Sequence, residues 1–254
     1  MKIDRAAVQL LQKALSGSAE ELLTIIRQAP ADFLPTVLKN PNLAENHLVA
    51  LLQRRDIGED TIKSICRLSL TESCHNLKVA IASHFATPAQ QLTAVLPHLY
   101  LFELLNLCYR PEITPDQKLA AERVIIQRLP LTPLGNKLTL ARKATPAVLE
   151  ALLKDGDSRL IDACLSNPRL KEGAVFQFLR SNRATAETIS MVARHPRWQG
   201  RSNLREAILT NQKTPLIWFT LWLPGMKTAD IRKLIASNRL TPPQKRIVEE
   251  RLRR

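Results

Sequence analysis

The sequence predicts an all-α fold, a right-handed α–α superhelix (solenoid) of irregular helical hairpins, on three observations. Aromatic residues are only 4% of the 254 residues while Leu and Ala dominate, which suits helices better than a β-sandwich. Glycines number 7 and apolar residues reach 45%, so the composition is that of a folded chain. Short junction motifs also recur every few tens of residues, the signature of a repeat array.

Taken in chain order, the start MKIDRAAVQLLQKAL reads as a helix, and Asp4, Arg5, Gln9 and Lys13 interrupt any apolar run of the kind an export signal needs. A cytoplasmic protein is therefore expected. LKNPNLAE (38–45) is a first, loose junction. Residues 54–76 hold one further helix-sized stretch with a weak signal. The clearest junctions are AIASHFATP (80–88), ACLSNPRLK (163–171), AILTNQKTP (207–215) and LIASNRLTP (234–242), with looser copies at 108–115, 138–146 and 191–199. Each of the four clearest places an Asn or His at one anchor position. Seven residues before it stand Leu77, Leu160, Leu204 and Ile231; four before, Ala80, Ala163, Ala207 and Leu234; three before, Ile81, Cys164, Ile208 and Ile235. That is the apolar stripe of an amphipathic helix.

The junction chemistry predicts a helix stop followed at once by a helix start. Asn tolerates the left-handed conformation that ends a helix, and a following Pro cannot continue it. At Thr87-Pro88, Thr145-Pro146, Thr214-Pro215 and Thr241-Pro242 the Thr is expected as N-cap with Pro at the first helical position. Anchors at 142, 167, 195, 211 and 238 are unevenly spaced, and the unit near Trp198–Asn203 lacks most of its first helix. No linker rich in Gly, Ser or Pro divides the array, so residues 1–254 read as one solenoid. PLIWFTLWLP (215–224) is too short to span a bilayer and reads as a buried helix, which makes core packing the expected role of Trp218 and Trp222.

Charge distinguishes the two halves. Residues 1–127 carry 13 basic and 13 acidic residues, whereas residues 128–254 carry 24 and 10, so the whole net charge of +14 sits in the second half. An anionic partner, nucleic acid or acidic protein, is expected there. The candidate contacts are cations just after the anchors: Lys143, Arg169, Arg183, Arg197, Lys213 and Arg239. If the turns stack, these recur along one edge and can follow a phosphate backbone. Cations near helix C-termini are also favoured by the macrodipole, by a few tenths to about 1 kcal/mol each. The tail KRIVEERLRR reads as a polar capping repeat.

Catalysis and metal binding find little support. Cys66, Cys74, Cys108 and Cys164 have no metal-ligand spacing, so no cofactor is expected. His47, His75, His84, His98 and His195 do not cluster, and His84 and His195 stand at anchor positions as turn residues. No phosphate-binding glycine loop or HExxH motif occurs. The expectation is a non-enzymatic binding scaffold without a small-molecule substrate.

The A-x-x-N-P-x-x-[TP] junctions resemble those of the leucine-rich repeat variant family and, more broadly, HEAT-like α-solenoids, over most of Phe33 to Leu252. The resemblance implies an α–α superhelix that usually serves as an interaction surface. Some members of the variant family carry an N-terminal cysteine cluster for an iron–sulfur centre; the first 65 residues here contain no Cys, so that cofactor is not carried over. HEAT-like solenoids also include DNA glycosylases acting on alkylated DNA. This supplies the enzymatic alternative, in which Asp162 would be the carboxylate that stabilises a cationic sugar; no sequence feature places an aromatic wall beside it. A purely protein–protein interaction module is the remaining alternative.

Overall fold

The computed structural model describes residues 5–253, with side chains from residue 8 onward. Among the described residues all regular structure is helical, with nineteen α-helices and no strand. The chain divides into two compact units, Met1–Gln127 and Arg128–Arg254, at the position where the charge balance changes.

The first unit contains α1 (Arg5–Ser16), α2 (Ala19–Gln28), α3 (Leu34–Val37), α4 (Glu45–Leu51), α5 (Glu59–Cys66), α6 (Ser69–Ser73), α7 (His75–Ser83), α8 (Ala89–Val95), α9 (Leu101–Leu107) and α10 (Pro115–Arg128). The weak stretch within 54–76 is thus two helices, α5 and α6. Entry into α2 is fixed by a capping box: the Ser18 N–H donates to Glu21 Oε2 at 3.0 Å and the Ser18 Oγ accepts the Glu21 N–H at 3.4 Å. The Ser18 N–H holds the Glu21 carboxyl below the usual carboxylate range. Packing runs to the neighbour and to the next helix but one: α1 on α2 and α3, α2 on α4, α3 on α5, α7 on α8 and α9.

The second unit contains α11 (Leu134–Lys143), α12 (Pro146–Leu153), α13 (Ser158–Leu165), α14 (Glu172–Arg180), α15 (Ala186–Arg194), α16 (Ser202–Leu209), α17 (Leu216–Trp222), α18 (Thr228–Ala236) and α19 (Pro242–Arg253). Alternate helices pack side by side, α11 on α13 on α15 and α12 on α14 on α16, while α17 packs on α19. Each helix buries its apolar stripe between these neighbours, as Leu160, Ile161, Cys164 and Leu165 of α13 show. Burying a Leu or Ile side chain stabilises by roughly 1.5–3 kcal/mol. At the last helices Phe219, Leu223, Ile231, Leu234 and Val248 close the core.

The junctions work differently from the sequence-level expectation. Among the described residues Asn238, at φ 50°, is the one non-glycine with positive φ, so the other anchors do not act through the left-handed conformation. They act through their side chains. Asn167 Oδ1 accepts the N–H of Arg169 at 2.8 Å and its Nδ2 donates to the Ala141 carbonyl at 2.7 Å, tying the end of α13 to the end of α11. Asn211 does the same with Lys213 and the Leu179 carbonyl, and Asn40 with Asn42 and the Ala14 carbonyl. His84 reproduces the pattern with a ring: Nδ1 accepts the Ala86 N–H at 3.2 Å and Nε2 faces the Arg54 carbonyl at 2.8 Å, which requires the neutral Nε2–H tautomer.

The threonines also depart from expectation at two sites. Thr87 and Thr214 donate their hydroxyls backward to the Ile81 and Ile208 carbonyls, and Pro88 and Pro215 themselves stand at the N-cap. At Thr145-Pro146 the helix does begin at Pro146, yet the buried Thr145 hydroxyl has no partner and so makes no cap bond. At Thr87 and Thr214 the hydroxyl adds a second donor to a carbonyl in the last turn of the preceding helix, an alternative to capping that the same residue offers.

The apolar segment 215–224 is only half buried. Trp218 and Phe219 lie inside, with the Trp218 indole N–H donating to Ser190 Oγ at 3.0 Å. Leu216, Ile217 and Leu221 face outward. Packing on one side of α17 leaves its other side uncovered. Among the described residues no helix is long and apolar enough to cross a membrane.

Candidate anion-binding groove

The six cations after the anchors do not form one ladder in the structure; they occupy two rows. Lys143, Arg169 and Arg197 follow the ends of α11, α13 and α15, which the Asn167–Ala141 bond holds together at the first pair. Arg183, Lys213 and Arg239 follow the ends of α14, α16 and α18. Within α14 one row lies near the start and the other at the end, about 13 Å apart for a nine-residue helix. The division follows from spacing: a step of 25 or 28 residues skips one helix and keeps the row, whereas the 16-residue step from 195 to 211 moves to the adjoining helix and changes it.

Two of the six are structural clamps. Arg197 donates to three carbonyls of the preceding junction, Asn167 at 2.6 Å, Pro168 at 3.0 Å and Leu170 at 2.8 Å, and lies 4.3 Å over the Trp198 ring. Trp198 is buried, with its indole N–H donating to the Leu165 carbonyl, so it is core and not a stacking platform. Lys213 Nζ donates to the Asn182 carbonyl at 2.7 Å. Lys143, Arg169, Arg183 and Arg239 are exposed.

Around the second row the surface is concave. A groove of about 850 Å³ crosses α14 and α16 and reaches the end of α18, lined among others by Gly173, Phe176, Gln177, Arg180, Asn203, Glu206 and Arg239. It continues into a second stretch of about 510 Å³ lined by Arg180, Asn182, Asn211, Gln212, Lys213 and Arg239. Arg180 and Arg239 line both. Among the described residues the second stretch has three cations and no carboxylate, while the first adds Glu172 and Glu206.

The helical period explains why these side chains converge. Gly173, Phe176, Gln177 and Arg180 follow the i, i+3, i+4, i+7 spacing of one helix face, and Ala174, Val175, Phe178 and Leu179 bury the other. Asn203, Glu206, Ala207 and Thr210 repeat the same spacing on α16. Of this site the sequence reading identified Lys213 and Arg239 and missed Arg180, Phe176, Gln177 and Asn203. A polar stripe on α14 was the available signal; its facing partner across 30 residues was not.

Asp162 is exposed on α13, and its charge reaches His195. Burial pushes the His195 imidazole below its ordinary range, with Asp162 opposing that shift and Arg197 adding to it. His195 Nδ1 accepts the Arg197 N–H at 3.2 Å, so the neutral ring is part of the junction. In the first unit a cavity of about 470 Å³ is lined by Arg54, Arg55 and Arg110, of which Arg54 is paired with Asp56 and Arg55 with Glu112. Among the described residues no three His, Cys, Asp or Glu side chains converge as a metal site. Compared with protein-family models, curated proteins and solved structures, the chain matches none.

Proposed function

We propose that this chain is a cytoplasmic α-solenoid scaffold that binds an anionic polymer, nucleic acid ahead of acidic protein, through the groove over α14, α16 and the end of α18. The observation that carries this reading is the carboxylate-free stretch where Arg180, Lys213 and Arg239 meet, in a half with 24 basic against 10 acidic residues. Arginine presents a planar fork that matches phosphate bidentately, and among the described residues no side-chain hydrogen bond or ion pair engages the Arg239 guanidinium. Packing of alternate helices and side-chain bonds that recur at 26 to 33 residues support the repeat scaffold. Arg169, Lys143 and Arg183 would extend the positive field without lining the groove.

Binding of a labelled duplex and a labelled single strand, titrated against salt, tests this. Affinity should fall linearly in log–log terms, and Arg180→Gln with Arg239→Gln should reduce the slope on duplex by about 0.9 for each phosphate contact removed. Undetectable binding at about 50 mM salt, where such contacts are strongest, would reject nucleic acid. Capture of the partner that survives nuclease treatment but is lost in the same double variant would instead select an acidic protein for this groove.

A further inference from the structure

The two stretches of the groove differ in chemistry, and the difference bears on which nucleic acid fits. The carboxylate-free stretch presents three cations at the ends of the alternate helices α14, α16 and α18, as a run of phosphates requires. The larger stretch is unsuited to phosphate because Glu206 projects into it from α16, with Glu172 beside it. It offers instead the Gln177 amide, the half-buried Phe176 ring and the Glu206 carboxylate, while the Asn203 amide donates to Glu172 Oε1 at 3.5 Å. Amides pair with the edge of adenine, a carboxylate accepts from the amino group of cytosine, and aromatic rings stack on any base. Arg180 stands at the border, its guanidinium 5.5 Å over the Phe176 ring.

The floor of this stretch is open for a physical reason. Gly173 lies one turn before Phe176, and a Cβ added there would meet nothing within 4 Å. Small residues at Gly173, Ala207 and Ser237 separate the larger polar groups, which leaves room for a flat ring beside Phe176. A volume of about 850 Å³ lies within the range of small-ligand sites and is ample for one base.

We infer that the amide-lined stretch holds an unpaired nucleobase while the adjoining cations hold its flanking phosphates, so that the ligand is single-stranded nucleic acid. The inference rests on the anion-binding reading of the same groove. In a duplex each base is stacked on its neighbours through both faces, so none can lie against the half-buried Phe176 ring. Glu206 then acts as a selector: it repels phosphate from the base end and sets the register of the strand.

The test compares short single-stranded homopolymers of deoxyadenosine, deoxycytidine, thymidine and their ribose counterparts with a mixed-sequence duplex, and uses inorganic polyphosphate as a base-free competitor. Single strands should bind at least about tenfold tighter than the duplex, the effect of one base's stacking and edge contacts. Gly173→Trp, which fills the base end without touching a cation, should weaken single-strand binding about tenfold and leave the polyphosphate affinity unchanged. A circular dichroism spectrum and melting temperature like those of the parent would show that the variant folds, and Gln177→Ala, which removes no neighbour of a cation, provides the same comparison without added bulk. Equal affinity for duplex and single strand, or variants that bind single strands like the parent, would overturn the inference while leaving an anion-binding groove. Loss of polyphosphate binding together with every nucleic acid would reject the groove itself. The ribose and deoxyribose arms distinguish RNA from DNA as the source of the strand.

Discussion

At Asn40, His84, Asn167 and Asn211 a single polar side chain ties its own turn to an earlier helix or turn. Asn167 makes one bond to its own turn and one to a carbonyl 26 residues earlier, and it is almost wholly buried. Removing it leaves the Ala141 carbonyl buried without a donor, which costs about 1–3 kcal/mol. Asn167→Ala should therefore lower the unfolding free energy by about 2 kcal/mol, measured by urea denaturation, and Asn167→His should lose less because an imidazole supplies the same donor and acceptor, as His84 does. His195 shows the titratable form of the device. Its pKa is lowered in the folded state, so the neutral ring stabilises the fold above the ordinary value of 6.5, and that contribution is lost as pH falls through the folded pKa. Asp162 opposes the shift; Asp162→Asn should push the His195 pKa lower still, read from the imidazole proton resonances, and a rise on substitution would contradict the assigned contact.

At the scale of the helix, position in the stack decides which residues are exposed. An amphipathic pattern specifies one buried face, and it correctly marked Leu160, Cys164, Ile208 and Leu234. It could not say that one face of α17 would stay uncovered, so Leu216, Ile217 and Leu221 were assigned to the interior although their side chains are exposed. Cysteines follow the same logic. Cys164 on α13 and Cys108 after α9 are buried, and burial pushes both thiols up to about 12 from 9.0. Because these folded-state values are raised, the stability they contribute is complete below pH 9 and is lost as pH climbs toward 12. Native-state labelling with a thiol-specific disulfide reagent at pH 8 should spare Cys108 and Cys164 until the helices open, which peptide mapping would report; early labelling of Cys164 would show that α13 is not held as described.

For the whole molecule, charge separates the two units more sharply than composition does. The second unit carries the entire formal charge of +14, and self-repulsion of that size destabilises a compact state until salt screens it. Raising salt should slow amide exchange in α14, α16 and α18 and leave α2, α4 and α7 of the charge-balanced half nearly unchanged, as hydrogen–deuterium exchange would measure. Helix content, the junction positions and the charged half were all determined by the sequence alone, because periodicity, Pro and Asn placement and charge are local properties that no neighbour can alter. Tertiary structure decided the rest: that six evenly motivated cations fall in two rows, that Arg197 and Lys213 clamp carbonyls some 30 residues away, and that stripes on α14 and α16 face each other across one groove. Those outcomes depend on which helix lies beside which. One irregular 16-residue step was enough to change it, and a pattern read along a single helix contains no record of its neighbour.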